Sequence, residues 1–203
     1  MTILNIDCID YMKGLDDNAF DLAICDPPYG LKRFSKGGSF VNKYGEPGLW
    51  NNNKPDANYF SELFRVSRIQ IIWGANNFDL PNSEYFIVWD KSMTGKHDFA
   101  ECEMAWVGGD IKKPAKIIQI KAQSTGEKKI HPTQKPVELG FPALYAFTEK
   151  GDIILDCFGG SGSTLIAAEE YKRKAYVLEL DPYYCSIIIQ RWEDLTGKKA
   201  KKT

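Results

Sequence analysis

ILDCFGGSGSTLIAAEE, Ile154 to Glu170, begins as an apolar run, stops on an acid at Asp156, places glycines at 159, 160 and 162, and turns helical from about Ser163. Glycines admit positive φ and let a ligand approach the backbone, while a helix N-terminus offers free N–H groups to a negative group. The spacing is not the dinucleotide G-x-G-x-x-G. The next apolar run, AYVLELD, carries Glu179 and Asp181, with Glu179 17 positions after Gly162. That is close to the roughly 20-residue interval at which an acid accepts hydrogen bonds from a ribose in nucleoside-binding α/β folds. Strand, glycine turn, helix, strand and acid together read as a nucleoside cofactor site that needs no pyrophosphate. The alternative is an ordinary tight βα turn with a solvated acid.

Outward from this unit, short apolar runs alternate with helix-compatible segments. Strands are expected at Ile3 to Ile6, Asp21 to Cys25, Ile69 to Trp73, Tyr85 to Trp89, Glu103 to Val107, Ile153 to Asp156 and Ala175 to Leu180, seven in all. Several are almost continuously apolar, as when helices cover both faces of a largely parallel sheet, so the fold class is α/β. Helical periodicity is clearest at Pro136 to Lys150, Ser163 to Tyr171 and Pro182 to Thr196. The 203 residues are 43% hydrophobic with a net charge of -1, which suits one domain over 1–203 and gives no global pull toward a polyanion. Five separated cysteines without a C-x-x-C pair read as buried thiols in a reducing compartment rather than a metal site. No signal peptide or membrane span is evident, so a soluble, cytoplasmic protein is expected.

Two segments lack periodicity. Residues 31–57 form a long loop that carries Lys32, Arg33, Lys36 and Lys43; residues 108–130 are basic and contain an alternating KIIQIK that can form a small extra strand. Each suits either a phosphate backbone or plain solvated surface. The tail 197–203 is a basic end expected to fray.

ICDPPYG, Ile24 to Gly30, ends an apolar strand on Asp26, which a doubly wound sheet would put at its ligand-binding carboxyl edge. Pro27 and Pro28 fix φ and lack N–H groups, so an acid and rigid carbonyls stand together as acceptors beside the flat ring of Tyr29. Such a turn suits an amino group on a planar heterocycle: two acceptors orient the nitrogen, the ring stacks, and the carboxylate stabilises positive charge developing on it. A solvent-facing proline turn is the plainer reading. HPTQKP, His131 to Pro136, offers hydroxyl, amide and ammonium groups at Thr133, Gln134 and Lys135 that could hold a carboxylate, or merely decorate a helix start.

In this order, D-P-P-Y at Asp26 to Tyr29, HPTQKP at His131 to Pro136 and F-x-G-x-G at Phe158, Gly160 and Gly162 resemble the S-adenosylmethionine-dependent amino-group DNA methyltransferases of β-class motif order. The resemblance implies a Rossmann-like class I methyltransferase sheet of seven strands, order 3-2-1-4-5-7-6 with strand 7 antiparallel, the chain visiting them as 3, 4, 5, 6, 7, 1, 2. It implies Asp26, Pro27 and Tyr29 as catalytic residues with Pro28 beside the substrate. It implies a cofactor site from Asp7, Cys8, Asp26, His131, Thr133, Gln134, Lys135, Asp156, Phe158, Gly160, Ser161, Gly162, Ser163, Glu179 and Asp181. Thr133, Gln134 and Lys135 would lie near the methionine carboxylate, Glu179 on the ribose, and Asp7 with Cys8 beside the adenine. No metal is required. The partner implied is double-stranded DNA with a flipped-out base, held by Lys32, Arg33, Lys36 and Lys43 of a mobile loop; N6 of adenine is favoured by D-P-P-Y over N4 of cytosine. Methylation of RNA or a protein amide, or a non-catalytic nucleic-acid-binding relative, are the alternatives. Residues 108–130 would be a reduced target-recognition segment, a homodimer is compatible, restriction-modification is the wider context implied, and the size fits a stand-alone or phage-type enzyme. The family's glycine before the aspartate at position 7 is replaced here by Ile6, and Cys157 stands where proline is common.

Overall fold

The computed structural model describes residues 1–30, 53–93, 100–109, 111, 115–121, 130–131 and 133–202. Its strands are β1 (Thr2–Leu4), β2 (Phe20–Cys25), β3 (Ser67–Trp73), β4 (Phe86–Asp90), β5 (Cys102–Gly109), β6 (Lys116–Gln119), β7 (Ile153–Asp156) and β8 (Lys174–Leu178). They form one sheet in the order β1-β8-β7-β2-β3-β5-β4-β6. The first seven positions reproduce the expected 3-2-1-4-5-7-6 arrangement, and β5 is antiparallel to both β3 and β4. Eight strands are present among the described residues, not seven. The addition is β6, the KIIQ run inside 108–130, which lies parallel to β4.

Near-continuous apolar strands follow from two-sided burial. Along β2, Leu22 and Ile24 enter one core while Ala23 and Cys25 enter the other, and five of its six residues are buried. The first core is packed by α3 (Gly140–Phe147), α4 (Ser163–Glu170) and α5 (Pro182–Thr196). The second is packed by α1 (Cys8–Lys13) and α2 (Ala57–Val66). A period of two thus divides the central strands β2, β3, β7 and β8 between two helical layers.

Local chemistry sets several boundaries differently from the periodicity. β1 ends at Leu4 rather than Ile6 because Asn5 turns its side-chain amide onto the Glu179 and Leu180 carbonyls, both at 2.9 Å. The helix expected from Pro136 opens as a 3₁₀ turn, Val137–Leu139, and becomes α-helical at Gly140. Pro142 accounts for the break, since its ring opposes an α-helical carbonyl four residues earlier, whereas a proline in the first turn of a helix is tolerated. α1 and α2 are short amphipathic helices outside the clearest periodic segments; α2 starts at the end of the expected 31–57 loop, where the Asp56 carboxylate accepts the Tyr59 N–H at 3.0 Å.

Candidate active site

β2 and β7 lie side by side with Ala23 opposite Leu155, so the chain leaves both at the same carboxyl edge. The turn at Asp26 and the glycine turn after Asp156 therefore open on one cavity, and residues of the 131–136 segment close it from above. Nothing in chain order alone brings residue 26 to residue 156. Parallel pairing does.

In the glycine turn, Gly160 and Gly162 have φ of +51° and +82°, and Gly162 begins α4. A side chain at 162 would be strained and would press a Cβ to 3.0 Å from Ile188. The Gly160 N–H donates to Glu179 Oε2 at 2.7 Å and the Asp181 N–H donates to Oε1 at 2.8 Å, so one carboxylate ties the glycine turn to the loop after β8. Burial pushes the Glu179 carboxyl up, partly opposed by these donors. Asp156 is buried in the wall and accepts the Phe158 N–H at 2.9 Å; burial pushes its carboxyl up to about 7.

The DPPY turn is a hydrogen-bonded cluster. Tyr29 donates its hydroxyl to Asp26 Oδ1 at 2.6 Å, and Lys135 donates to Asp26 Oδ2 at 2.6 Å while lying 3.4 Å from the Tyr29 oxygen. The ammonium also sits 5.7 Å from the centre of the Trp73 ring and 6.0 Å from that of Tyr29. Its second carboxylate is Glu103, at 3.1 Å, which in turn holds Lys91 at 2.8 Å. Burial would pull the Lys135 ammonium down, but Asp26, Tyr29 and Glu103 outweigh it and hold it well above the ordinary lysine range. Burial raises the Tyr29 hydroxyl, and the Asp26 charge raises it further, so it is a donor at all working pH values. Tyr29 can lie flat because Gly74, at φ +70°, has no side chain: a Cβ there would stand 2.2 Å from the ring.

Most of the sequence-expected residues meet at this cavity. Asp7, Cys8, Asp26, Pro28, His131, Thr133, Gln134, Lys135, Asp156, Phe158, Gly160, Ser161, Ser163 and Glu179 line it. Pro27, Tyr29, Gly162 and Asp181 are not in its wall: Tyr29 lies behind it, bonded to Asp26, and Asp181 caps α5, accepting the Tyr183 N–H at 2.8 Å. Asp7 lines the cavity and also caps α1 through the Ile9 and Asp10 N–H groups. Where the resemblance gives Lys135 a carboxylate of the cofactor, the structure gives it two protein carboxylates, because β5 brings Glu103 up beside Asp26. Gln134 turns inward, its Oε1 accepting the Ile130 N–H at 2.9 Å, and Ser163 donates to the Lys135 carbonyl at 2.6 Å, locking the HPTQKP segment to α4. His131 is buried edge-on to Tyr184. Lys32, Arg33, Lys36 and Lys43 lie outside the described residues.

Sequence reasoning passed over Ile6, Leu180 and Tyr184, which line the cavity, and Glu103, Lys91 and Gly74, which organise the DPPY turn. Glu103 had one visible signal, an acid inside the otherwise apolar alternation of its strand. Among the described residues no three His, Cys, Asp or Glu side chains gather as a metal would require, and no helix is long and apolar enough to cross a membrane.

A family model described as DNA methylase, covering N6 and N4 methyltransferases, matches residues 69–190. The type II methyltransferase M2.MboI of Moraxella bovis is 27% identical over 238 residues, spanning 93% of this chain and 86% of its own length. M2.DpnII of Streptococcus pneumoniae is 29% identical over 144 residues, 71% of this chain and 49% of its own. Among solved structures, the cytosine-N4-specific PvuII DNA methyltransferase superposes with a TM-score of 0.66 at 16% identity, covering 94% of this chain and 85% of that one. An M1.HpyAVI–SAM complex gives 0.60 at 21% identity, covering 94% and 98%. These structural likenesses establish the shared α/β fold.

Proposed function

The chain belongs to the DNA methylase family, and from that premise we propose that it transfers a methyl group from S-adenosylmethionine to the N6 amino group of an adenine flipped out of duplex DNA. The observation that carries the reading is the Asp26 turn. A charged nitrogen, that of Lys135, already rests there on a carboxylate and within 6.0 Å of the centres of two aromatic rings, the surroundings an amino group gaining positive charge would need.

The cavity suits the cofactor. Glu179 keeps acceptor capacity beyond its two backbone donors and serves the ribose hydroxyls. Asp156 supplies a buried carboxylate for the ammonium, while the apolar side chains of Ile6 and Leu180, both exposed at the wall, flank the adenine together with Asp7 and Cys8. Thr133, Ser161 and Ser163 offer hydroxyls near the carboxylate, and Phe158, Gly160 and Gly162 shape the turn. When bound, S-adenosylmethionine supplies an electrophilic methyl group on a sulfonium.

Asp26 and the Pro27 carbonyl accept the two amino hydrogens and aim the nitrogen lone pair. Tyr29, pinned by its bond to Asp26, presents its ring to the base, and Pro28 bounds the slot. As the nitrogen becomes positive, the Asp26 carboxylate stabilises it, and the surplus amino proton passes to that carboxylate and from it to solvent. The base must leave the duplex to reach this turn, at a cost of a few kcal/mol, and Lys32, Arg33, Lys36 and Lys43 are proposed to hold the backbone meanwhile. Residues 108–130 are proposed as the short recognition segment, built around β6.

The test is incubation with labelled S-adenosylmethionine and unmethylated DNA, followed by nucleoside analysis and sequencing of the modified sites. N6-methyladenine formed by the wild type and lost in Asp26→Ala is expected. N4-methylcytosine would change the target base, labelled RNA without labelled DNA would replace the substrate, and full transfer by Asp26→Ala would refute the mechanism.

A further inference from the structure

Each oxygen of the Asp26 carboxylate already holds one strong donor, Tyr29 on Oδ1 and Lys135 on Oδ2, each at 2.6 Å. Lone pairs remain on both oxygens, but the lysine ammonium stands where the reading above puts the target amine, so the two compete for one place. A cation left there would repel the charge developing on the attacking nitrogen. The lysine needs somewhere to go. Its side chain is only 14% exposed, and the two carboxylates beside it hold it at the cavity wall.

Glu103 supplies the destination. Its Oε2 is buried and already faces the ammonium at 3.1 Å, and its Oε1 is held by Lys91 at 2.8 Å. That contact is longer than the 2.6 Å bond to Asp26, so a lysine moving toward Glu103 shortens an ion pair it already makes. The four charges, Asp26, Lys135, Glu103 and Lys91, form an alternating row across β2, the 131–136 segment, β5 and β4. Moving Lys135 from the first acid to the second keeps the ammonium on a carboxylate and leaves Asp26 to accept the amine hydrogens and to face the positive charge that develops during transfer.

We propose that Lys135 is a resident stand-in for the target amine and that Glu103 is the positioning residue that receives it, freeing Asp26 for the base. The proposal rests on the methyl-transfer reading above. In Glu103→Gln the lysine has no charged acceptor except Asp26, so the incoming base competes against a stronger bond.

The experiment measures single-turnover methyl transfer to saturating DNA, with cofactor affinity and DNA affinity determined separately. Glu103→Gln is expected to slow transfer about tenfold or more while both affinities stay within about threefold of wild type. The charge-conserving double variant Glu103→Gln with Lys135→Met removes the competitor and is expected to recover most of that loss. A Glu103→Gln rate within twofold of wild type overturns the proposal, as does a double variant no faster than Glu103→Gln. Should Glu103→Gln fail to bind cofactor, the double variant decides alone: a rate within tenfold of wild type supports the proposal and a slower one overturns it. A wild type that methylates no DNA would refute the functional reading itself, and this proposal with it.

Discussion

Gly74→Ala tests whether the position of the Tyr29 ring is what makes the DPPY turn competent. Gly74 has φ +70° and ψ 30°, and its N–H is held by the Met104 carbonyl at 2.9 Å, so the backbone cannot relax freely. An alanine there incurs about 1–2 kcal/mol for the left-handed conformation. Its Cβ would stand 2.2 Å from Tyr29 Cε1 and 2.4 Å from Cζ, where ordinary contact begins at 3.4 Å, so the ring must retreat by about 1.2 Å. That displacement breaks the 2.6 Å bond to Asp26 and moves the surface on which the base stacks. A misplacement of about 1 Å at a reacting centre can cost about 100-fold in rate. The expected outcome is a single-turnover rate lower by about two orders of magnitude, cofactor affinity within about threefold, and a melting temperature lowered by about 3–8 °C. Tyr29→Ala should be comparably slow, and combining the two should add little. A Gly74→Ala enzyme within twofold of the wild-type rate would refute the reasoning, since the ring would then have no required place.

Asp156 predicts a pH dependence with a definite sign. Its folded carboxyl lies at about 7 against an ordinary 3.8, so the folded chain binds more protons than the unfolded chain between those values, and stability falls as pH rises across that window before levelling above 7. Thermal melts of the cofactor-free protein at pH 5 to 8 should follow that slope, and Asp156→Asn should flatten it. Cofactor affinity should run the other way: pairing with an ammonium needs the ionised acid, so titration calorimetry should find affinity about tenfold weaker at pH 6 than at its plateau, a dependence absent in Asp156→Asn. Glu179→Ala removes the shared acceptor of the Gly160 and Asp181 N–H groups as well as the proposed ribose contact, and should weaken cofactor binding at least about tenfold. Undiminished affinity in that variant would mean that the tie between the two loops is irrelevant to binding.

The legible parts of this protein were those where local pattern and global fold impose the same requirement. Buried strands such as DLAIC and DIILD need apolar residues on both faces, so the sheet was readable, and the glycines at 160 and 162 answer a backbone requirement that few other residues meet. Asp7 and Asp181 mark the opposite case. An acid just before a helix serves as a cap whether or not a ligand is near, and their side chains satisfy α1 and α5. Glu103, Lys91 and Gly74 were illegible because their roles depend on which strand lies beside which. The antiparallel pairing that sets Trp73 opposite Ala105 brings β5 alongside the end of β3, and no periodicity encodes that encounter. β6 lay between the two: KIIQIK had a strand's alternation, but only its pairing with β4 makes it the eighth strand.

The strand order also carries a kinetic consequence. Among the described residues β1 pairs with β8 alone, and β2 reaches β8 through β7, so this first strand waits for a partner about 170 residues away. Closing so long a segment is entropically slow, and pairings of this kind lengthen folding times. During synthesis β2, β3, β4 and β5 can associate early, whereas the centre of the sheet, and with it the cavity between Asp26 and Glu179, comes together only when β7 slots in beside β2 and β8 bridges it to β1. No partly made chain should therefore hold the cofactor, and the exposed edge of β2 is the surface that a nascent chain most needs to keep from pairing elsewhere.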